Sequence, residues 1–244
     1  MRNPKWQRDE LILALDLYFD IVPGQIHARN PQIIELPELL NQLPIHGDRN
    51  EFEKFRNPNG VGLKLSNFLA LDDSYPGKGM SATSKLDKEV FSEFKDNRET
   101  LKRLATSIRE SATNHEIKKA ILSIDNNEID DETSRYEGKI LHKYHLYRER
   151  NPTLTRKKKE HALVQYGKLE CEQCGFDFAK VYGDVGYGFM ECHHKLPLYL
   201  LTEEKKTKLE DLMLVCANCH RMLHRGWIRL EKNKESNKIL VDIT

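Results

Sequence analysis

Four of the chain's five cysteines fall into two Cys-x-x-Cys pairs, Cys171 with Cys174 and Cys216 with Cys219. Two such pairs match the tetrahedral all-sulfur site that zinc prefers, each pair forming one tight knuckle. Thiolates fill every position, so no water can be activated there. The implied ion is a structural zinc that staples a region with little apolar core. Cysteines committed to metal fit a reducing compartment rather than a disulfide framework, and a cytoplasmic location is expected. The fifth, Cys192, is expected to be a small buried apolar residue.

A second constellation is interleaved with the first. His193 and His194 lie between the pairs, and His220 and His224 follow the last cysteine. Residues at i and i+4 share one helical face, so His220 and His224 converge. If Glu191 to Leu198 is an extended strand entering a turn at Pro197, His193 and His194 point to opposite sides. One can then join His220 and His224 on a metal while the other stays free as a base. Phosphodiester cleavage needs that division of labour, with an ion to stabilise the departing oxyanion and a neutral imidazole to deprotonate water.

The run Glu191-Cys192-His193-His194-Lys195-Leu196-Pro197-Leu198, then Leu209-Glu210-Asp211-Leu212, then Leu214-Val215-Cys216-Ala217-Asn218-Cys219-His220-Arg221 with His224, resembles the HNH endonucleases, specifically their McrA-like, zinc-containing branch. The resemblance implies a ββα-metal fold, a hairpin packed on a helix around one divalent ion (Mg, Mn, Ni, Co or Zn). Carried over by position, it makes His193, His220 and His224 the ligands of that ion and His194 the general base. The family's central Asn falls on Asp211, which would orient the His194 imidazole by accepting its N–H.

The 244 residues carry 32% charged side chains and a net charge of only +1. A local cationic face can still supply phosphate affinity when acidic segments cancel the sum. Neither a long apolar run nor a leader pattern is seen, so no membrane partner is expected. Helical spacing predicts an amphipathic helix over Asp9 to Phe19 and a second from Pro31 that Pro37 restricts to short pieces. It also predicts a helix over Asn59 to Leu71 and a long one from Lys85 to Glu110, with a turn-rich loop between them. The fold class is therefore mostly α with a small α+β C-terminal domain. The division is a helical DNA-reading domain over 1–110, a linker region over 111–138, acidic from Asp125 to Ser134, and a zinc-stapled nuclease domain over 139–244. The basic run from Lys139 to Lys159 is expected to grip backbone phosphates of double-stranded DNA.

Three N-terminal segments combine cations with turn formers, as phosphate-contacting loops do: Gln25 to Asn30 with His27 and Arg29, Lys54 to Val61 with Arg56 and Asn57, and Ser74 to Gly79. The helix beginning near Trp6, the Arg56-Asn57-Pro58-Asn59-Gly60-Val61 segment and the Tyr75-Pro76-Gly77-Lys78-Gly79 loop are similar to the sulfur-binding domains joined to McrA-like nucleases. That resemblance implies recognition of phosphorothioate DNA. An apolar cup of Tyr75, Pro76 and the Gly77 backbone would favour sulfur, which is less well hydrated than oxygen. His27, Arg29, Arg56 and Lys78 would hold the anion and its neighbours. Two other readings compete: a nuclease that reads methylated or hydroxymethylated cytosine, with Trp6 and Tyr18 in an aromatic pocket, and a non-catalytic zinc-ribbon DNA-binding protein. Cutting both strands favours two active sites, which makes a homodimer plausible.

Overall fold

In the computed structural model, residues 3–46, 55–80, 82–125, 137–195 and 207–232 are described, with side chains described as far as His224. The architecture is mostly helical with a two-stranded sheet near the C-terminal end. None of the described helices is long and apolar enough to cross a membrane.

Helix α1 (Arg8–Asp20) is the axis of the N-terminal half. It packs against α2 (Pro31–Gln42), α3 (Pro58–Leu69), α4 (Lys85–Phe94) and α5 (Arg98–Thr113). Where the sequence predicts an amphipathic helix, the structure buries α1 on all sides from Arg8 to Tyr18. Its charged residues tolerate this because each has a partner. Arg8 pairs with Glu93 at 2.6 Å, Asp16 with Arg109 at 2.6 Å, and Glu10 with Arg56 at 2.6 Å. Leu11, Ile12 and Leu15 meet Leu40, Leu65, Phe68, Phe91, Leu101 and Ile108 in one apolar core.

Two boundaries differ from expectation. Pro37 lies inside a continuous α2 rather than dividing it. The long helix from Lys85 to Glu110 is two helices, because the Asn97 side chain accepts from Thr100 N and caps a new start. Within the 111–138 stretch, α6 (His115–Ser123) begins on an Asn114 cap. Residues 126–136, which hold most of the acidic segment, lie outside the described ones.

Helix α7 (Lys139–Glu149) joins the two halves. Ile140 and Leu141 belong to the N-terminal core, and the helix packs on α1, α5 and α6. Its first turn is capped from a distance: the Asp9 carboxylate accepts from Ile140 N at 3.3 Å and Leu141 N at 3.1 Å. Gly138 stands just before it at φ 102°, where a Cβ would collide with that carboxylate, so only glycine fits. The opposite end of α7 enters the C-terminal domain.

There, strands β1 (Glu191–His194) and β2 (Leu212–Val215) pair antiparallel, with His193 opposite Met213 and His194 opposite Leu212. Helices α8 (Pro152–Tyr166) and α10 (Ala217–Lys232) pack on the hairpin, while the short α9 (Phe178–Tyr182) lies between the first cysteine pair and β1. Cys192, Leu214, Val215 and Leu223 form the small core, so the fifth cysteine is buried as expected. Pro197 lies outside the described residues.

Candidate metal centre

The two knuckles come together. Cys171, Cys174, Cys216 and Cys219 present four sulfurs within 4.8 Å of one another. Gly175, at φ 74°, donates its N–H to Cys171 O at 2.8 Å and closes the first knuckle. In the second, Cys219 N donates to Cys216 Sγ at 3.4 Å. A four-thiolate set, with Cys171, Cys216 and Cys219 in the apolar core and Cys174 exposed, fits a closed zinc site and nothing that needs an open position.

The histidines form a separate cluster beside it. His193 on β1 and His220 and His224 on α10 converge, and Glu149 at the end of α7 reaches into their midst. Glu149 Oε2 lies 3.0 Å from both His220 Nε2 and His224 Nε2, and those two nitrogens are 3.1 Å apart. His193 Nδ1 is 3.0 Å from the other carboxylate oxygen, Oε1. All four donors lie within 4.8 Å of one another and all but His220 are buried. Three imidazoles and a carboxylate aimed at one point suit a borderline divalent ion. Behind them, Glu191 Oε2 accepts a hydrogen bond from His220 Nδ1–H at 2.6 Å, which turns the Nε2 lone pair inward.

Electrostatics agree with a site built for positive charge. Burial opposes ionisation of Glu149, but His145, His193 and His194 outweigh it and hold the carboxyl well below the usual range. Burial also opposes charge on His220, yet Glu149 and Glu191 prevail and raise it to about 9. His224 has less compensation, and burial lowers it to about 4.

His194 stands outside this ligand set. Its backbone N–H donates to Glu149 Oε1 at 2.9 Å, its Nδ1 is 3.6 Å from the same oxygen, and the ring is 3% exposed. The orienting role expected of Asp211 is not what the geometry places there. Asp211 instead accepts Lys208 N on its side chain at 2.8 Å and Lys195 N on its carbonyl at 2.8 Å, closing the mouth of the hairpin. No hydrogen bond or ion pair joins it to the His194 ring among the described residues.

Residues 171–226 match the family model for HNH endonucleases. The chain carries a DNA-cleaving nuclease domain. Comparison with curated proteins and with solved structures gave no match. The non-catalytic zinc-ribbon reading is thereby set aside in favour of an enzyme.

The family match begins after α7, so Glu149, His145, His142 and Glu137 all lie outside it. Sequence reading missed them by treating Lys139 to Lys159 as a phosphate-binding run. Yet His142, His145 and Glu149 sit at i, i+3 and i+7, one helical face, and that spacing is the signal that could have found them. Several cations of the run face inward as well: Lys143 donates to Ile124 O, Lys158 to Leu209 O, and Lys159 to Gly188 O. Arg150, Arg156 and Lys157 remain exposed beside the HNH domain.

In the N-terminal half, the expected reader residues are scattered in character. His27, Arg29 and Lys78 are exposed, as are Pro76 and Gly77. Tyr75 is half-buried against the core, and its ring lies over the Gly77 backbone, where a Cβ would fall 2.5 Å from Tyr75 Cζ. Gly79 runs against the Ala70 backbone. Asn57 caps α3 by accepting from Gly60 N at 2.9 Å. Arg56 points inward rather than to solvent: its guanidinium bridges both Glu10 oxygens and lies 4.5 Å from the Trp6 and Phe55 ring centres. Its role is therefore to neutralise a buried carboxylate, not to offer a free cation. Of the two aromatics considered for a base pocket, Tyr18 is buried and Trp6 packs on the core.

Proposed function

We propose that this chain is a modification-dependent DNA endonuclease of the McrA-like kind, in which the N-terminal helices read phosphorothioate DNA and the HNH domain cuts it. The observation that carries the reading is the Tyr75-Pro76-Gly77 cup. It is preformed: Tyr18 Oη donates to Asp72 Oδ2 at 2.6 Å, and Asp72 in turn accepts from Ser74 N and Tyr75 N, fastening the loop to α1. A rigid apolar ring edge beside an exposed backbone and Lys78 favours a soft, poorly hydrated anion over an ordinary phosphate oxygen. Trp6, Asn57 and Gly60 line an open cleft of about 700 Å³ on the same half of the molecule, room for a neighbouring stretch of backbone.

In the nuclease, His193, His220, His224 and Glu149 would hold the divalent ion. When bound, that ion supplies charge stabilisation to the phosphate and the leaving oxygen. Glu191 keeps His220 in the tautomer that presents Nε2. His194 accepts a proton from the attacking water on Nε2, since its Nδ1 side faces Glu149 Oε1. The exposed Arg150, Arg156 and Lys157 supply phosphate contacts beside it.

The test is a binding and cleavage panel on matched duplexes that are sulfur-modified, methylated, hydroxymethylated or plain. Preference for the sulfur-bearing duplex, weakened in Tyr75→Ala, is the expected result. Equal binding of modified and plain duplexes ends the sulfur reading, and preference for methylated cytosine replaces it with a base reader.

A further inference from the structure

We infer that the chain holds a second divalent cation on the far side of Glu149, between Glu149, His145 and His194, and that this ion competes for the imidazole assigned as the base.

The two oxygens of Glu149 face different neighbours. Oε2 faces His220 and His224. Oε1 faces His145 Nε2 at 3.1 Å and His194 Nδ1 at 3.6 Å, besides His193 Nδ1 at 3.0 Å, and one donor atom from each of Glu149, His145 and His194 lies within 4.8 Å of the other two. These side chains are no more than 3% exposed. Neither ring nitrogen of His194 has a hydrogen-bond partner among the described residues. A buried imidazole in that condition is costly, and a cation at this point gives it a partner. An outer carboxylate is also in place. Glu137 lies 3.9 Å from His145 Nδ1 and 3.0 Å from His142 Nδ1, so it favours the His145 tautomer whose Nε2 lone pair points to Glu149.

Two imidazole nitrogens and one carboxylate oxygen select a borderline transition ion such as Zn, Co or Ni over Mg, which prefers an all-oxygen shell. Glu149 would then bridge two ions, as carboxylates do in two-metal centres where the ions stand about 3.5–4 Å apart. An ion on His194 Nδ1 leaves the ring proton on Nε2. His194 could then no longer take a proton from water. This consequence rests on the proposed role of His194; the number of ions does not.

Cobalt(II) titrated into the full-length, zinc-loaded protein and followed by calorimetry tests the site. Two cobalt ions beyond the four-cysteine zinc are expected, and His145→Asn should bind one. The rate of plasmid nicking should rise as the first ion binds and fall as the second does, with the fall absent in His145→Asn. Retention of the four-cysteine zinc by that variant checks its folding. Should it misfold, Glu137→Gln serves instead, with the second affinity weakened by about 10–100-fold. One cobalt ion in the wild type, or two in a folded His145→Asn, overturns the inference. Cleavage with a single cobalt ion bound and no second ion at any concentration overturns the second site and leaves the nuclease standing. Two ions without cleavage at any concentration sustain the site and remove the base role of His194.

Discussion

Replacing Asp9 with asparagine should change how stability responds to pH, and the size of the change follows from where Asp9 sits. Its carboxylate is fully buried, and burial raises it from the ordinary 3.8 to about 6, only partly offset by the Ile140 and Leu141 N–H groups it accepts from. Between those two values the folded state binds a proton that the unfolded state has already released. Stability from this group is therefore complete below 3.8 and is lost as pH rises through about 6. At about 1.4 kcal/mol for each tenfold difference in proton affinity, the interval amounts to about 3 kcal/mol. An asparagine at this position cannot ionise, yet its amide oxygen can still accept from the first turn of α7. The stability of the wild type minus that of Asp9→Asn should thus fall by about 3 kcal/mol between roughly pH 4 and pH 7. Urea unfolding at a series of pH values, followed by linear extrapolation, measures that difference, and the other carboxylates common to both proteins cancel. A difference that stays constant with pH would refute the claim that an ionisable, buried Asp9 fastens α7 to α1.

Two further perturbations address the pairs around the reader and the metal. Arg56→Ala leaves Glu10 buried without its guanidinium, keeping the Gln7 N–H at 2.8 Å and the His46 ring at 3.2 Å, and should cost about 3–5 kcal/mol in denaturant unfolding. A loss below about 1 kcal/mol would mean that the pair is dispensable. Glu191→Gln removes the charge that fixes His220 and should weaken metal affinity at the histidine cluster by about 10–100-fold, read by competition with a chelator, while an ion held by the four cysteines is retained.

Much of the C-terminal site was legible because metal ligands must recur at set spacings. Cys-x-x-Cys closes a knuckle, and His220 with His224 shares a helical face whatever surrounds them. The two-stranded hairpin was implied by the resemblance to the HNH endonucleases, and the mostly helical class was readable from the helical spacing of the N-terminal segments. Glu149 was passed over although it shares a helical face with His142 and His145, because the cations around it pointed to phosphate binding; its meaning comes from α7 delivering it across to β1. Asp211 was favoured as the orienting group because the central Asn of the HNH pattern falls on it, although its carboxylate closes a turn at Lys208. Arg56 looked like a surface cation because periodicity cannot reveal that Glu10, far away in sequence, is buried beside it. The break between α4 and α5 hung on one capping side chain, Asn97, inside an otherwise unbroken helical pattern.

The central claim is that the imidazole and carboxylate cluster, not the cysteine site, cuts DNA, with His194 taking the proton. The most direct measurement compares wild type and His194→Ala, both carrying the four-cysteine zinc, for nicking of plasmid and for DNA binding over a series of divalent metals. Metal-dependent nicking by the wild type, its loss in His194→Ala and undiminished DNA binding by that variant are the expected results. Undiminished nicking by His194→Ala would contradict the account.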